Sequence, residues 1–175
     1  MGIVEATRAY EAWLARQLGG AIVRKDLRRK HAGMAKGPFE FLRATYYRWA
    51  EEILNICPEL KHAPSVLAVG DIHLENFGSW RDNDGRLIWG VNDFDEVWRL
   101  TYSNDLIRLA TSAFLAVDSR ELDVTPKRGA ALILGGYRAA LTHGGRAARG
   151  RGRRHSSGKF RKLARQRRPA DLGRE

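Results

Sequence analysis

The chain has 175 residues, 43% of them hydrophobic, and a formal net charge of +11, enough for one ordinary domain with a real core. Its single cysteine, Cys57, excludes an internal disulfide and suits a reducing compartment. No run approaches the roughly 18 apolar residues of a membrane span, and the N-terminus, with Glu5 and Glu11, has no apolar leader core; the expectation is a cytoplasmic protein without signal peptide or membrane segment.

Ile3 to Leu18 carries apolar residues at helical spacing (Ile3, Tyr10, Trp13, Leu14, Leu18) and closes at Gly19-Gly20. A second helix with a basic face is predicted from Ala21 to about Met34. Pro38 sits in the first turn of a third. Its stripe of Phe39, Phe41, Leu42, Tyr46, Trp49, Ile53 and Leu54 runs down to Cys57-Pro58, as a core face would.

The next stretch differs in character. Val66–Val69 and Leu87–Val91 are short aliphatic runs, read as buried strands, and each ends abruptly in acidic and amide side chains. Asp82-Asn83-Asp84-Gly85 is a strong hairpin turn between them, because these residues tolerate positive φ. The two strand ends are therefore expected to meet, gathering Asp71, His73, Glu75, Asn76, Asp93, Asp95 and Glu96. Helices follow over Ser103–Val117, with Ser103 as N-cap, and Thr125–Thr142, with a Thr-Pro start. The fold class is α+β, mainly helical, with a small β-hairpin carrying the site.

So many carboxylates repel one another unless a cation sits among them, and Mg²⁺ takes oxygen ligands while keeping water and phosphate oxygens. In kinase phosphoryl transfer a loop Asp accepts the substrate proton, an Asn a few residues on binds metal, and a later Asp holds the metal bridging the nucleotide phosphates. Asp71, Asn76 and Asp93 fill those places in that order, with Asp95 as a further ligand or a loop brace. His73 stands between direct chemistry and a structural hydrogen-bonding role. Asp105 at a helix start suits dipole compensation, and Lys36 and Arg43, flanking Pro38, are either solvated cations or phosphate-facing.

The blocks Lys36-Gly37-Pro38-Phe39-Glu40-Phe41-Leu42-Arg43, Gly70–Gly78, Asn92–Glu96 and Asp105-Leu106-Ile107-Arg108-Leu109-Ala110 together resemble a bacterial family, domain of unknown function 2252. More distantly they resemble aminoglycoside phosphotransferases and choline kinases of the protein-kinase-like fold. The motif resemblance covers about Lys30 to Leu141. It implies a kinase-like C-lobe in which Asp105 braces the catalytic loop from behind, Arg43 faces phosphate, and Glu96 and Arg108 support the site. It also implies that a Gly-rich stretch and a Lys-bearing strand follow the Asp93-Phe94-Asp95 segment, so that the fold is incomplete in this chain.

From Gly144 to Glu175 there are twelve Lys/Arg and two acidic residues, +10, against nineteen and eighteen, +1, in the first 143. The expected organisation is a domain over 1–143 and a disordered Arg/Gly-rich tail over 144–175. Such a tail can bind nucleic acid; an Arg/Gly/Ala-rich end is also what a frameshift in a GC-rich gene yields, and that reading is preferred because the resemblance stops where the composition changes. Three functions follow. The leading one is a phosphotransferase fragment using Mg²⁺ and ATP on an unidentified small acceptor, inactive alone, with Asp71 and His73 catalytic and Asn76, Asp93 and Asp95 on the metal. The second is a metal-dependent phosphoesterase with His73 as ligand. The third is nucleic-acid binding through the tail.

Overall fold

The computed structural model describes residues 1–142 and 144. The tail expectations for 145–175 lie outside the described residues. The architecture is mixed α+β and mainly helical: α1 (Ile3–Gln17), α2 (Arg24–Met34), α3 (Pro38–Ala44) and α4 (Tyr46–Ile56) lead through a 3₁₀ turn (Pro58–His62) into β1 (Ser65–Ala68). Then come a second 3₁₀ turn (Leu74–Asn76), β2 (Phe77–Arg81), β3 (Leu87–Val91), β4 (Trp98–Thr101), α5 (Tyr102–Asp118) and α6 (Pro126–Thr142).

Helix α1 ends as its glycines suggested. Gly19 and Gly20 both take positive φ, and the Gly20 N–H closes on the Ala15 carbonyl at 2.8 Å. That closure, continued by Ala21 and Ile22 N–H groups turned back onto Leu18 and Gly20, delays α2 to Arg24, later than expected. The single helix expected from Pro38 is in fact two. At Thr45 the backbone leaves the helix (φ −125°, ψ 34°), while its Oγ donates to the Phe41 carbonyl at 2.7 Å. Such back-bonding by Thr competes with the helical ladder. The start of α5 also differs from expectation. β4 runs straight into it, so Thr101 precedes the first turn, and Ser103 lies inside the helix with its Oγ donating to Thr101 Oγ1 at 3.2 Å. Thr125 does cap α6, accepting the Arg128 N–H at 3.3 Å.

The strands form two antiparallel ribbons, β1–β4 and β2–β3. The expected hairpin of Val66–Val69 with Leu87–Val91 does not form. The turn at Asp82–Gly85 joins β3 to β2, the run immediately before it, with Phe77 opposite Val91 and Arg81 opposite Leu87; β1 instead pairs with β4, Ser65 opposite Thr101 and Ala68 opposite Trp98. Closing the nearer strand onto the turn costs less loop entropy than reaching back past it. Both ribbons keep large apolar side chains in water, Leu67 at 77% and Trp98 at 71% exposure on one, Trp89 at 66% on the other.

Among the described residues the buried side chains fall into an apolar and a polar set of equal number. Ala6, Leu42, Ile53, Ala68, Ile72, Ala113 and Ala116 are the apolar ones, and Thr7, Thr45, His73, Asn76, Asn104, Arg108 and Ser112 the polar ones. Since buried polar groups are costly unless paired, the polar set marks where the fold is organised around interactions other than apolar packing.

Candidate active site

The two acidic segments do come together, by a route other than the expected one. With Ala68 opposite Trp98, antiparallel pairing brings Val69–Asp71, leaving β1, alongside Glu96–Val97, entering β4. The other ribbon acts at its own end: beyond the Phe77–Val91 pair, the Asn92 N–H donates to the Asn76 carbonyl at 3.0 Å. This sets Asn76 beside Asp93.

Gly70 makes the first approach possible. Its φ is +89°, and a Cβ there would lie 2.3 Å from the Glu96 carbonyl oxygen and 3.0 Å from the Tyr46 hydroxyl. No other residue type fits that conformation and that gap. Behind it, Asp105 accepts the Val69 N–H at 2.7 Å and the Gly70 N–H at 3.1 Å, one on each carboxylate oxygen. Burial raises the Asp105 pKa, opposed by these two N–H groups and by Arg108.

Asp71 is held by Arg108, which is wholly buried. Arg108 Nε donates to Asp71 Oδ1 at 2.9 Å, and its terminal nitrogen also bonds that oxygen and, at 2.8 Å, the Leu42 carbonyl. The break at Thr45 matters here, since in an uninterrupted helix the Leu42 carbonyl would belong to the Tyr46 N–H. The guanidinium lies 5.0 Å from the Tyr46 ring centre and 5.1 Å from that of Trp49, a cation–π arrangement. Burial raises the Asp71 pKa against the opposing pull of Arg108. The carboxylate is thus a stronger base than an ordinary one, and its Oδ2 carries no hydrogen bond among the described residues.

His73 is not among the residues that line the cavities beside Asp71. It is 3% exposed, packs edge-on to Phe39 at 5.9 Å, and accepts the Arg43 Nε–H on Nε2 at 3.2 Å. The proton is therefore assigned to Nδ1, which is buried without a partner. Burial, with Arg43 and Arg108 nearby, pushes its pKa down to about 4. Its backbone N–H donates to Asn76 Oδ1 at 2.6 Å, and Asn76 Nδ2 points at Asp93 Oδ2, 3.3 Å away. Arg43 spends its other contact on Glu75; Lys36 is exposed.

Asp71, Asp93, Asp95 and Glu96 line one cleft with Val69, about 160 Å³ in volume. Among the described residues Asp93 has two hydrogen bonds, both long, to the Asn76 amide and the Asp95 N–H at 3.4 Å. A second groove of similar volume, lined by Tyr10, Arg43, Ala44, Tyr46, Tyr47, Asp71 and Glu96, shares Asp71 and Glu96 with the first. That these tyrosines line a groove had no signal in the sequence, because aromatic residues at helical spacing read as core. Tyr47 stacks on Tyr10 (4.3 Å, 8°) and exchanges a 2.7 Å hydrogen bond with Thr7. Lys30 lies over both rings, at 4.6 and 5.2 Å; burial lowers its pKa, with Glu11 and Glu96 acting in the opposite sense.

Residues 23–168 match the model of an uncharacterized protein family conserved in bacteria, DUF2252. The chain belongs to that family. All the site residues described above except Tyr10 and Thr7 fall within the DUF2252 match. The match also continues across the change in composition at Gly144, past the Leu141 limit that the motifs suggested. Neither a curated protein nor a solved structure matches the chain. No helix among the described residues is long and apolar enough to cross a membrane.

Proposed function

We propose that this DUF2252 chain carries the base-and-metal side of a kinase-like phosphotransferase site. The observation that carries the reading is the cleft shared by Asp71 and the Asp93–Glu96 segment, with Asp71 locked on one oxygen by Arg108 and open on the other. Asp71 Oδ2 accepts the proton of an acceptor hydroxyl as that oxygen attacks the terminal phosphorus of ATP and ADP leaves. Asn76 and Asp105 keep the loop in place for this step, through His73 and through the Val69 and Gly70 amides.

Among the described residues no three His, Cys, Asp or Glu side chains converge closely enough to cage an ion unaided. Mg²⁺ does not demand a cage: it is commonly held by one or two carboxylates together with water and phosphate oxygens. Asp93, whose contacts are few and long, and Asp95 beside it are the residues that would hold it. When bound, the ion supplies charge neutralisation for the phosphate oxygens. No Gly-rich loop following a strand covers that region among the described residues, so turnover by this chain alone is expected to stay below detection.

The test is metal and nucleotide binding, with Mn²⁺ as the paramagnetic probe. The native chain is expected to bind Mn²⁺, and more tightly with ATP present. Asp93→Asn should weaken binding at least about tenfold, the order expected for losing a contact to a charged group, while Asp118→Asn at the exposed end of α5 should not. Equal affinity in Asp93→Asn and the native chain would remove the metal from the proposal. Consumption of Mg²⁺-ATP with hydroxyl acceptors that vanishes in Asp71→Asn would show that no further covering element is needed.

A further inference from the structure

The second groove shares Asp71 and Glu96 with the acidic cleft, but the rest of its lining is different. Three tyrosines and Arg43 replace Asp93 and Asp95 as the lining. Lys30, outside the lining itself, lies over two of its tyrosines. Lys30 Nζ makes no hydrogen bond or ion pair among the described residues, and is positioned only by the faces of Tyr10 and Tyr47. The neighbouring carboxylate of Glu11 is taken by His31 at 2.6 Å. Arg43 is committed to His73 and Glu75, and Arg108 to Asp71 and Leu42, its remaining Nη1 unpartnered but wholly buried. Lys30 is therefore the ammonium whose three donors stay available beside a cavity that reaches Asp71.

The tyrosine faces also limit what can enter. Arg108 already lies over Tyr46, and Lys30 over Tyr10 and Tyr47, so their attraction for an external cation is spent on the protein's own charges. The Asp71 and Glu96 carboxylates of the lining can accept from hydroxyls, and Lys30 offers an anionic group a half-buried ammonium with free donors, where charge-assisted hydrogen bonds are strong. We infer that the groove of Tyr10, Tyr46 and Tyr47 is the acceptor subsite. It takes a small hydroxylated molecule whose phosphate or carboxylate is held by Lys30 while a hydroxyl meets Asp71. This assignment rests on the function proposed above. It gives α2, otherwise a solvated basic helix, a part in recognition.

The experiment is an NMR titration of the chain, without metal or nucleotide, using glycerol 3-phosphate, glycerate and glycerol as probes. The first two separate phosphate from carboxylate as the recognised group, and glycerol carries neither. Expected are shifts of the Tyr10 and Tyr47 ring resonances with an anionic probe and none with glycerol, weakening as salt is added. Lys30→Gln should weaken the anionic probe on the order of tenfold; Lys30→Arg, which restores a cation over the rings, should recover most of it. Mn²⁺ binding measured on Lys30→Gln should be unchanged, so that failure of the subsite and failure of the metal reading are told apart. If Lys30→Gln loses both, the fold is affected, and the ring shifts of the native chain together with Lys30→Arg decide. Absence of ring shifts in the native chain, an equal response to glycerol, or undiminished binding by a folded Lys30→Gln would overturn the assignment.

Discussion

Replacing Arg108 by Met tests the centre of the site, because Met keeps most of the side-chain volume and removes the charge. The native guanidinium makes two bonds to Asp71 Oδ1 and one to the Leu42 carbonyl. Removing one partner of a buried pair costs about 3–5 kcal/mol, since the remaining charge is left uncompensated. Asp71 keeps 22% of its side chain in solvent, so the lower end applies, about 3 kcal/mol, including about 1 kcal/mol for the Leu42 bond. Urea unfolding of Arg108→Met, Asp71→Asn and the double variant would isolate the pair. Their coupling is expected at about 2 kcal/mol, the rest of the single-variant loss staying with Leu42 and the ring contacts. The pH dependence follows in sign. Burial already raises Asp71 in the native chain against the pull of Arg108, and without Arg108 its pKa rises further. The destabilisation is therefore greatest at neutral pH and shrinks as acidification protonates Asp71, because a neutral carboxyl needs no counter-charge. Additive single variants, within about 0.5 kcal/mol, or a loss independent of pH, would refute the reasoning.

Gly70→Ala forces a positive φ on a residue with a Cβ that meets the Glu96 carbonyl at 2.3 Å; a loss of about 2–3 kcal/mol in urea unfolding is expected, and a near-neutral result would contradict the close approach. Asp105→Asn can accept only one of the Val69 and Gly70 N–H groups, so hydrogen exchange at those two amides should accelerate selectively, with a stability loss of about 1–2 kcal/mol. His73, with its pKa pushed down to about 4 from 6.5, resists protonation in the folded state. It should therefore draw stability down as pH falls from about 6.5 toward 4, by at most about 3 kcal/mol. The decline should flatten in His73→Gln, and its ring proton shifts should show no titration above about pH 5.

The helices and the acidic pairing were legible because they rest on local signals: apolar spacing in α1, a proline in the first turn of α3, the Asn-Asp-Gly turn, and carboxylates clustered at strand ends. The strand partners were not legible. Phe77–Arg81 is short, contains Gly78, and directly follows a motif that drew attention to its polar residues, yet the turn at Asp82 needed a strand immediately before it. Trp98–Thr101 runs into α5 without a loop, so it offers no boundary. The division at Thr45 depends on one hydroxyl choosing a backbone carbonyl. The second groove assembles residues of α1, α3 and α4 with Asp71 and Glu96, and no spacing along the chain reports that Tyr10 and Tyr47 meet each other and Lys30 of α2.

The placement of the tryptophans has a spectroscopic consequence. Of five in the chain, Trp13, Trp80, Trp89 and Trp98 are exposed and emit from surroundings already wet in the fold. Trp49 alone is tucked in, its indole N–H donating to Asn104 at 2.9 Å and its ring against the Arg108 guanidinium. The short-wavelength edge of the emission therefore belongs to one indole, one residue removed from the Asp71 pair. Substituting the four exposed residues by Phe would leave one optical reporter that follows both the integrity of the fold and, within it, the Arg108 guanidinium beside Asp71.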